Sequence, residues 1–208
     1  MRHHFVKIVL PFLIALSACA GFLLLYAPFW HARRFLRDTL TLEVGSSTFL
    51  EAERLARKYG GQVIQVGDVP PTCSSNSCVF KFAFGNVWLH RLGLAPFTTF
   101  GGEVRVSDNI VVSRELAMAV ERRDYYLEVF SKEAQELKSG TAVRVVQYLK
   151  LPRLGIETTP SAPQEVRVLS HQFSLKCLIR IRGCTSAEEL LPSLQELKQA
   201  GYAIQSQR

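Results

Sequence analysis

The chain has 208 residues, of which 48% are hydrophobic and 21% are charged. This composition excludes a disordered chain, which carries fewer apolar residues, and a protein with many membrane spans, which carries more. Five cysteines are too few for a small disulfide-rich scaffold. The net charge of +7 permits an anionic partner without identifying one.

The first feature along the chain is an apolar segment without charged residues, over 8–30. At about 1.5 Å per residue, a helix of this length covers the roughly 30 Å hydrocarbon core of a bilayer. We therefore predict a transmembrane helix over 8–30, with a short basic tail over 1–7 and a basic juxtamembrane linker over 31–38. The residues predicted to lie at the membrane interface are Tyr26, Trp30, Arg33, Arg34 and Arg37.

Other interpretations of this segment involve processing of the chain. The sequence from Leu16 to Cys19 resembles a bacterial lipobox, in which Cys19 would carry lipid, and the residues around Cys19 also resemble a signal-peptidase site. The apolar run continues beyond Ala20, so cleavage would leave an apolar end on the mature protein. We prefer an uncleaved anchor, while lipidation, secretion and a buried helix stay open. Basic residues flank both ends of the span, so charge does not fix its orientation.

The soluble part is predicted to open with a strand, a helix and a second strand. Apolar and polar residues alternate over 40–44, which is typical of a strand. Thr48 and Glu51 have the spacing of a capping box, and an apolar stripe with helical period follows them until Gly60 ends the helix. The second strand is predicted over 62–66.

The remainder of the chain is predicted to consist mainly of strands. One or two helical turns are expected over 86–92, and the proline-rich segment 151–163 is expected to be an irregular loop. A closing helix is expected from the capping pair Thr185 and Glu188 onward, with Pro192 kinking it or marking its start. The predicted strands cover 79–84, 103–107, 110–118, 125–130, 143–149, 165–171 and 175–182.

These elements together predict the α+β class. The sequence offers no stretch of helix length between the later strands, and parallel neighbours need long crossovers. We therefore predict that the transmembrane helix is followed by one domain over 39–204, with a tail over 205–208. Its curved, mostly antiparallel sheet of about seven to nine strands packs against two main helices, one of them at the C-terminus.

The cysteines outside the apolar segment fall into two pairs. Cys73 and Cys78 bracket a short flexible loop and are predicted to form a local disulfide. An extended strand would separate Cys177 and Cys184 by about 23 Å, whereas a disulfide needs Cα atoms within about 7 Å. Cys177 is therefore predicted to be a buried thiol, although a disulfide or a metal site at this pair stays open. The zinc interpretation is disfavoured by loose spacing, and the even cysteine count indicates an oxidising compartment.

Two surfaces are candidates for binding. The apolar residues Trp88, Leu92, Phe97 and Phe100 either form a contact surface for a bilayer or hydrophobic ligand, or fill the core, which we prefer. A second set shares one side of the predicted strand 175–182 and forms either an anion-binding stripe or an ordinary solvated face, which we again prefer. This set is Lys176, Arg180 and Arg182.

Signals for catalysis are few. His90 and His171 are the possible bases, and either one could pair in space with an aspartate. The aspartates considered are Asp68, Asp108 and Asp124. The sequence contains no nucleophile elbow, zincin, P-loop or Rossmann pattern, so structural histidines are the preferred interpretation and no catalytic residue is assigned.

The sequence thus predicts a single-pass, membrane-anchored bacterial envelope protein with an extracytoplasmic domain. Its expected role is non-catalytic binding or assembly, without cofactor or metal. The expected partners are the lipid bilayer and, beyond it, another envelope protein or an anionic glycan or lipid. One alternative is a membrane-tethered hydrolase or thiol enzyme that uses Cys78 or Cys184 with a histidine. Another is a cytoplasm-facing domain that binds nucleic acid through a basic face, although no nucleic acid is expected.

Overall fold

The computed structural model describes residues 2–64, 73–137, 140–148, 152–202 and 204–207. The chain begins with one long helix and continues into a mixed sheet with several shorter helices. The helices are α1 (Arg2–Thr39), α2 (Phe49–Tyr59), α3 (Val87–Arg91), α4 (Gln164–Ser170), α5 (Ala187–Leu190) and α6 (Ser193–Gln199), with a 3₁₀ turn over Leu175–Leu178. The strands are β1 (Gln62–Val63), β2 (Ser77–Gly85), β3 (Phe97–Ser107), β4 (Ile110–Glu121), β5 (Tyr126–Ala134), β6 (Val143–Tyr148), β7 (Arg153–Thr158) and β8 (Ile204–Gln207).

The apolar N-terminal segment is the first part of α1, which continues without a break through Thr39. Residues 31–38, expected to form a linker, are the last turns of this helix. Ala32 and Phe35 are fully buried in the core, and Leu36 packs against it. These residues recur at a spacing of three to four, so they lie on one helix face and dock it onto the domain.

Residues 40–44 do not form the predicted strand. They make local turns, in which the backbone N–H of Thr41 donates to Asp38 O and that of Leu42 donates to Thr39 O. Leu42 and Val44 are still buried, so their alternation with polar residues reflects burial without sheet pairing. The fold therefore opens with a long helix and turns, and the predicted β-α-β start is wrong.

Helix α2 follows the sequence prediction closely. The backbone N–H of Thr48 donates to the Glu51 carboxylate at 2.7 Å, which is the capping-box contact. Gly60 ends the helix in the left-handed region, with φ of 67°. Gln62–Val63 is a strand as predicted, and the part of that prediction over 65–66 lies outside the described residues.

The strands form one sheet in the order β1-β2-β3-β4-β5-β7-β6-β8. Strand β5 pairs with β7, and β6 with β8, in parallel, while the other described pairings are antiparallel. The β3–β4 hairpin turns at Asp108 and Asn109, both with positive φ, as a tight hairpin requires. This mostly antiparallel sheet with helices confirms the α+β prediction.

Two predicted strands in the C-terminal part are wrong. Residues 165–171 form helix α4, in which Val166 is buried while Val168 is exposed, so the alternation of valines has no sheet counterpart. Residues 175–182 form the 3₁₀ turn and then bend back, because Arg182 and Gly183 both adopt positive φ. The alternation of apolar and polar residues over 175–182 is therefore present without a β-strand.

The proline-rich segment 151–163, predicted to be a loop, contains strand β7. Gly155 sits at its centre, where a side chain would meet the Phe130 ring at 2.4 Å, so only glycine fits beneath that ring. The closing helix is divided at Pro192 into α5 and α6, as the proline predicted. Strand β8 falls in a segment predicted to be mostly tail.

The core lies between the helices and one face of the sheet. Phe35 of α1 packs on the rings of Phe82 and Phe84, with centroid distances of 4.6 Å and 5.1 Å. Helices α2, α4 and α5 contact strands β2, β7 and β5, respectively. The helices therefore cover one sheet face, and the opposite face of β2–β5 and β7 forms the candidate site.

Candidate functional site

The open face of the sheet holds a trough of about 500 Å³, whose lining residues all belong to strands. Its floor is built from small residues that lie side by side across three strands. Ala83 is paired with Gly101, and Gly101 with Ala117. Ala119 extends the floor along β4. Because these side chains are short, another molecule can approach the sheet backbone closely here.

One wall of the trough is an ion-paired cluster centred on Arg153. Its Nε lies 2.9 Å from Glu128 Oε1, and its guanidinium also pairs with Glu115. The guanidinium stacks 4.3 Å above the Phe130 ring, a cation–π geometry that holds it flat against the sheet. The hydroxyl of Tyr126 donates to Glu128 at 2.7 Å. This wall is therefore fixed by mutual contacts before any ligand arrives.

The surroundings of this wall raise the pKa of two of its side chains, Glu115 and Tyr126. Burial raises the pKa of the Glu115 carboxyl, and this effect exceeds the opposing attraction of Arg153. Burial, together with the hydrogen bond to Glu128, raises the pKa of Tyr126 to about 12. Tyr126 is therefore a neutral phenol at physiological pH.

The trough as a whole is balanced in charge. At its other side Arg105 Nε lies 2.6 Å from Glu103 Oε1, and Lys81 stands nearby. Each arginine of the lining thus has at least one glutamate partner within the trough. A balanced lining favours a neutral or mixed-charge ligand over a free anion.

The covered face of the sheet contains a second ionic cluster, in which the side chains of Arg114, Glu133 and His171 are buried and that of Arg167 is 32% exposed. Arg114 donates to Thr39 O at 2.9 Å, to Leu42 O at 2.8 Å and to Glu133 Oε2 at 2.5 Å. Arg167 of α4 pairs with the same carboxylate at 2.7 Å. The cluster therefore joins the C-terminal end of α1 to β4, β5 and α4.

His171 belongs to this cluster, and its contacts fix the protonation state and the tautomer of its ring. Burial lowers its pKa, so the ring is neutral. Its Nε2 lies 3.2 Å from a nitrogen of Arg114, which can only donate, so Nε2 is the acceptor and Nδ1–H donates to Ser131 Oγ at 2.8 Å. The neighbouring Glu133, His171 and Ser131 thus resemble a catalytic triad in composition only. The histidine cannot take a proton from Ser131 through a nitrogen that already carries one.

The other residues considered for catalysis lie elsewhere. His90 is on the exposed side of α3, with its ring 5.5 Å from that of Phe97. Asp108 is in the β3–β4 turn and Asp124 follows β4, while Asp68 lies outside the described residues. None of the described contacts joins these aspartates to a histidine.

The structure brings the cysteines together in two pairs. The sulfurs of Cys73 and Cys78 lie at disulfide distance, with Cα atoms 4.7 Å apart. Those of Cys177 and Cys184 also lie at disulfide distance, with Cα atoms 5.5 Å apart. The prediction of a buried Cys177 thiol is therefore wrong, because the 3₁₀ turn and the bend at Gly183 replace the extended strand on which it rested.

Disulfide pairing removes these cysteines from other chemistry. A bonded sulfur is neither a thiolate nucleophile nor a metal ligand, so the thiol-enzyme alternative loses Cys78 and Cys184. Cys19 is a free, exposed cysteine on α1. Within the described ranges, no group of three or more histidine, cysteine, aspartate or glutamate side chains is arranged to hold a metal ion.

The predicted basic stripe does not exist as a strand face. Lys176 lies in the 3₁₀ turn, and Arg180 is paired with Glu189 at 2.6 Å. The backbone N–H of Arg182 donates to Leu94 O at 3.1 Å. The three side chains share one face only if 175–182 is a strand, so the predicted stripe is wrong.

The predicted apolar surface divides into two parts. Phe100 is fully buried in the core and Phe97 is half-buried, so neither belongs to an exposed patch. Trp88 and Leu92 are exposed. The predicted interface residues of α1 lie near its entry into the domain, where Tyr26 is half-buried and the others are exposed: Trp30, Arg33, Arg34 and Arg37.

Sequence reasoning did not find the trough, although a signal for it is present. Along β4 the residues on one face are small, as at Ala117 and Ala119, while Leu116 and Met118 on the other face are large and fully buried. A strand with large residues on one side and alanine beside glutamate on the other predicts a covered face and an open one. Which strands lie beside β4 on the open face is known only from the strand pairing in the structure.

Comparison with known proteins gives no match: neither a family model, nor a curated protein, nor a solved structure is similar to this chain. Over the described residues, one helix, Ala15–Thr39 within α1, is long and apolar enough to cross a membrane. Together with the two cysteine pairs, this helix indicates membrane anchoring and an oxidising surrounding for the domain.

Proposed function

We propose that this chain is a single-pass, membrane-anchored bacterial envelope protein that acts as a non-catalytic binding or assembly module. The domain lies outside the cytoplasm and binds a second envelope protein through the trough. The observation that carries this proposal is the open sheet face, with its floor of small residues and its fixed ionic wall.

The shape of the trough favours a protein segment as the ligand. A helix or strand packs on a sheet at about 10 Å only where the facing side chains allow it. The short side chains at Ala83, Gly101 and Ala117 supply this space, and Tyr126 offers a neutral hydrogen-bonding group at the rim. The balanced charges disfavour a free anionic ligand, including nucleic acid.

The cysteines support the proposed compartment. Disulfides persist in oxidising surroundings and are rare in the cytoplasm. Both cysteine pairs lie at disulfide distance, which supports an extracytoplasmic domain over the cytoplasm-facing alternative.

The proposal is tested by site-specific photo-crosslinking in intact cells. A photoreactive amino acid replaces Thr99 in the trough or, as a matched control, Gln195 on the exposed side of α6. We expect one discrete adduct with an envelope protein from position 99 and none from position 195. Ala117→Trp, which fills the trough, is expected to lower that adduct at least tenfold, while Ala117→Ser leaves it unchanged.

The outcome that contradicts the proposal is an adduct pattern that does not depend on position, or the absence of an adduct at position 99. The thermal unfolding midpoint of each variant is measured alongside. A loss of adduct in Ala117→Trp then counts only when the domain remains folded.

A further inference from the structure

Helix α1 is fixed to the domain over its last turns. Phe35 packs on Phe82 and Phe84, and Arg114 holds the carbonyl oxygens of Thr39 and Leu42 that follow. A continuous helix with this docking cannot act as a flexible tether. The part of the domain that surrounds α1 at the point where the helix leaves the domain is therefore held next to the bilayer surface.

That part is the end of the sheet next to α3. Going back along α1 from Thr39, the helix passes from Arg114 in the middle of β4 to Phe84 near the end of β2, and it contacts α3 beyond. The turn at Asp108 lies at the other end of β3, which has 11 residues and therefore measures roughly 33 Å. The domain thus has a membrane-proximal and a distal end.

The proximal end exposes several large apolar side chains, among them Trp88, Leu92, Leu94 and Ile181. The backbone N–H of Arg182 donates to Leu94 O, which places the 181–183 turn beside the loop after α3. Isolated exposed apolar residues are common, but a set gathered where a membrane helix leaves the domain is a mark of a contact surface. The exposed fractions are 48% for Trp88, 63% for Leu92, 44% for Leu94 and 64% for Ile181.

Arginines surround these apolar residues. The guanidinium of Arg91 lies 5.7 Å from the Trp88 ring centre, and Arg122 donates to Arg182 O at 2.7 Å. Arg122 and Arg123 lie in the turn between β4 and β5, and Arg123 is exposed there. Glu121 and Asp124, which are next to them in the sequence, offset part of the positive charge. Arginine binds phosphate oxygens with two parallel hydrogen bonds, and tryptophan is enriched at the headgroup level of membranes.

We propose that the domain rests on the bilayer through this helix-exit surface, formed by Trp88, Leu92, Leu94, Ile181, Arg91 and Arg182. The apolar side chains enter the boundary between headgroups and acyl chains, and the arginines bind headgroup phosphates. The occupant is phospholipid, because α1 and the surface meet at one end of the domain. This contact orients the trough relative to the membrane and does not depend on the protein partner proposed above.

The chain offers a direct test, because it contains two tryptophans. Trp30→Phe leaves Trp88 as the sole tryptophan, and Trp88→Phe leaves Trp30, with emission excited at a wavelength that tyrosine does not absorb. Full-length protein is placed in lipid nanodiscs that contain phosphatidylcholine brominated on the acyl carbons nearest the headgroup. We expect bromination to lower Trp88 emission at least twofold, in the same range as Trp30.

The matched control places the tryptophan at the distal end. In a background lacking both native tryptophans, Ile110→Trp reports from the strand end beside the Asp108 turn, where Ile110 is exposed. We expect less than a tenth of this emission to be quenched. Trp88 quenching no greater than that of the distal control would overturn the proposal.

A second variant tests the surface itself. Leu92→Glu changes a side chain that is 63% exposed, so the fold is expected to tolerate it. The charge opposes insertion, and Trp88 quenching should fall at least by half with an unchanged unfolding midpoint. Unchanged quenching would contradict insertion of this surface. Because the bromine atoms are on the lipid acyl chains, contact with a protein cannot produce the signal.

Discussion

The two faces of the sheet carry similar ionic clusters in opposite surroundings. On the covered face, Arg114 and Glu133 have side chains that are 4% and 0% exposed. On the open face, Arg153 and Glu115 have side chains that are 25% and 26% exposed. Each cluster centres on one arginine, but only the cluster of the open face can exchange a partner for a ligand.

Chemical composition alone does not mark a site in this fold. The covered cluster has the richer set, with a histidine and a serine beside the carboxylate, yet each polar contact there serves the attachment of α1 and α4. The open cluster is simpler, and it borders a floor of small residues with room for another molecule. The two clusters are distinguished by whether another molecule can reach them, and not by the types of residue that they contain.

The largest expected effect comes from breaking the covered cluster. Glu133→Gln removes the charge that Arg114 and Arg167 share and leaves the buried Arg114 guanidinium and the partly exposed Arg167 guanidinium without a carboxylate. Removing one member of a buried ion pair costs about 3–5 kcal/mol. We expect a loss of this size in the free energy of unfolding, measured by urea denaturation. Glu128→Gln on the open face is the control, with an expected loss below about 1 kcal/mol, and equal losses would remove the distinction between the faces.

The second effect is a dependence of stability on pH that originates from the covered face. Burial holds the pKa of His171 below its usual value of 6.5, so the unfolded chain takes up a proton at higher pH than the folded chain does. The stability contribution of the neutral His171 ring is therefore fully present above pH 6.5 and decreases as pH falls below it, by at most about 1.4 kcal/mol per pH unit. Urea midpoints of the wild type and His171→Asn between about pH 7 and 5 test this.

The expected result is a midpoint that decreases with falling pH in the wild type, and the loss of that decrease in His171→Asn. His90→Asn is the matched control, because His90 is exposed and its loss should leave the wild-type slope intact. A slope that disappears with His90 and persists without His171 would show that the buried ring does not control this titration.

Much of the fold could be predicted because short-range chemistry determines it. The capping pair Thr48 and Glu51, the two-residue connection between the predicted strands 103–107 and 110–118, and the break at Pro192 each act over a few residues, and each occurs as predicted. The register of the sheet, which forms the trough, depends on residues far apart in sequence, such as Ala83 and Gly101. No local pattern contains that information.

The failures also have a physical cause. Residues 175–182 alternate like a strand, but the bend at Arg182 and Gly183 and the approach of Cys177 to Cys184 require the three-dimensional packing. Residues 31–38 are a second case of this kind. Their basic residues predict a linker, but the buried residues around Phe35 dock this segment onto the domain as a helix. In both segments tertiary contacts override the local pattern.

The smallest expected effect concerns the open face and has the opposite sign. Burial raises the pKa of Glu115, so the folded chain binds this proton more tightly than the unfolded chain, and its ionisation lowers stability as pH rises above 4.5. Glu115→Gln resembles the protonated form and is therefore expected to stabilise the protein at pH 7 by less than about 1 kcal/mol, with the gain vanishing near pH 4. Glu128 keeps Arg153 paired in this variant. A destabilisation above about 1 kcal/mol at pH 7 would mean that the open cluster supports the fold as the covered one does, and the contrast between the two faces would be lost.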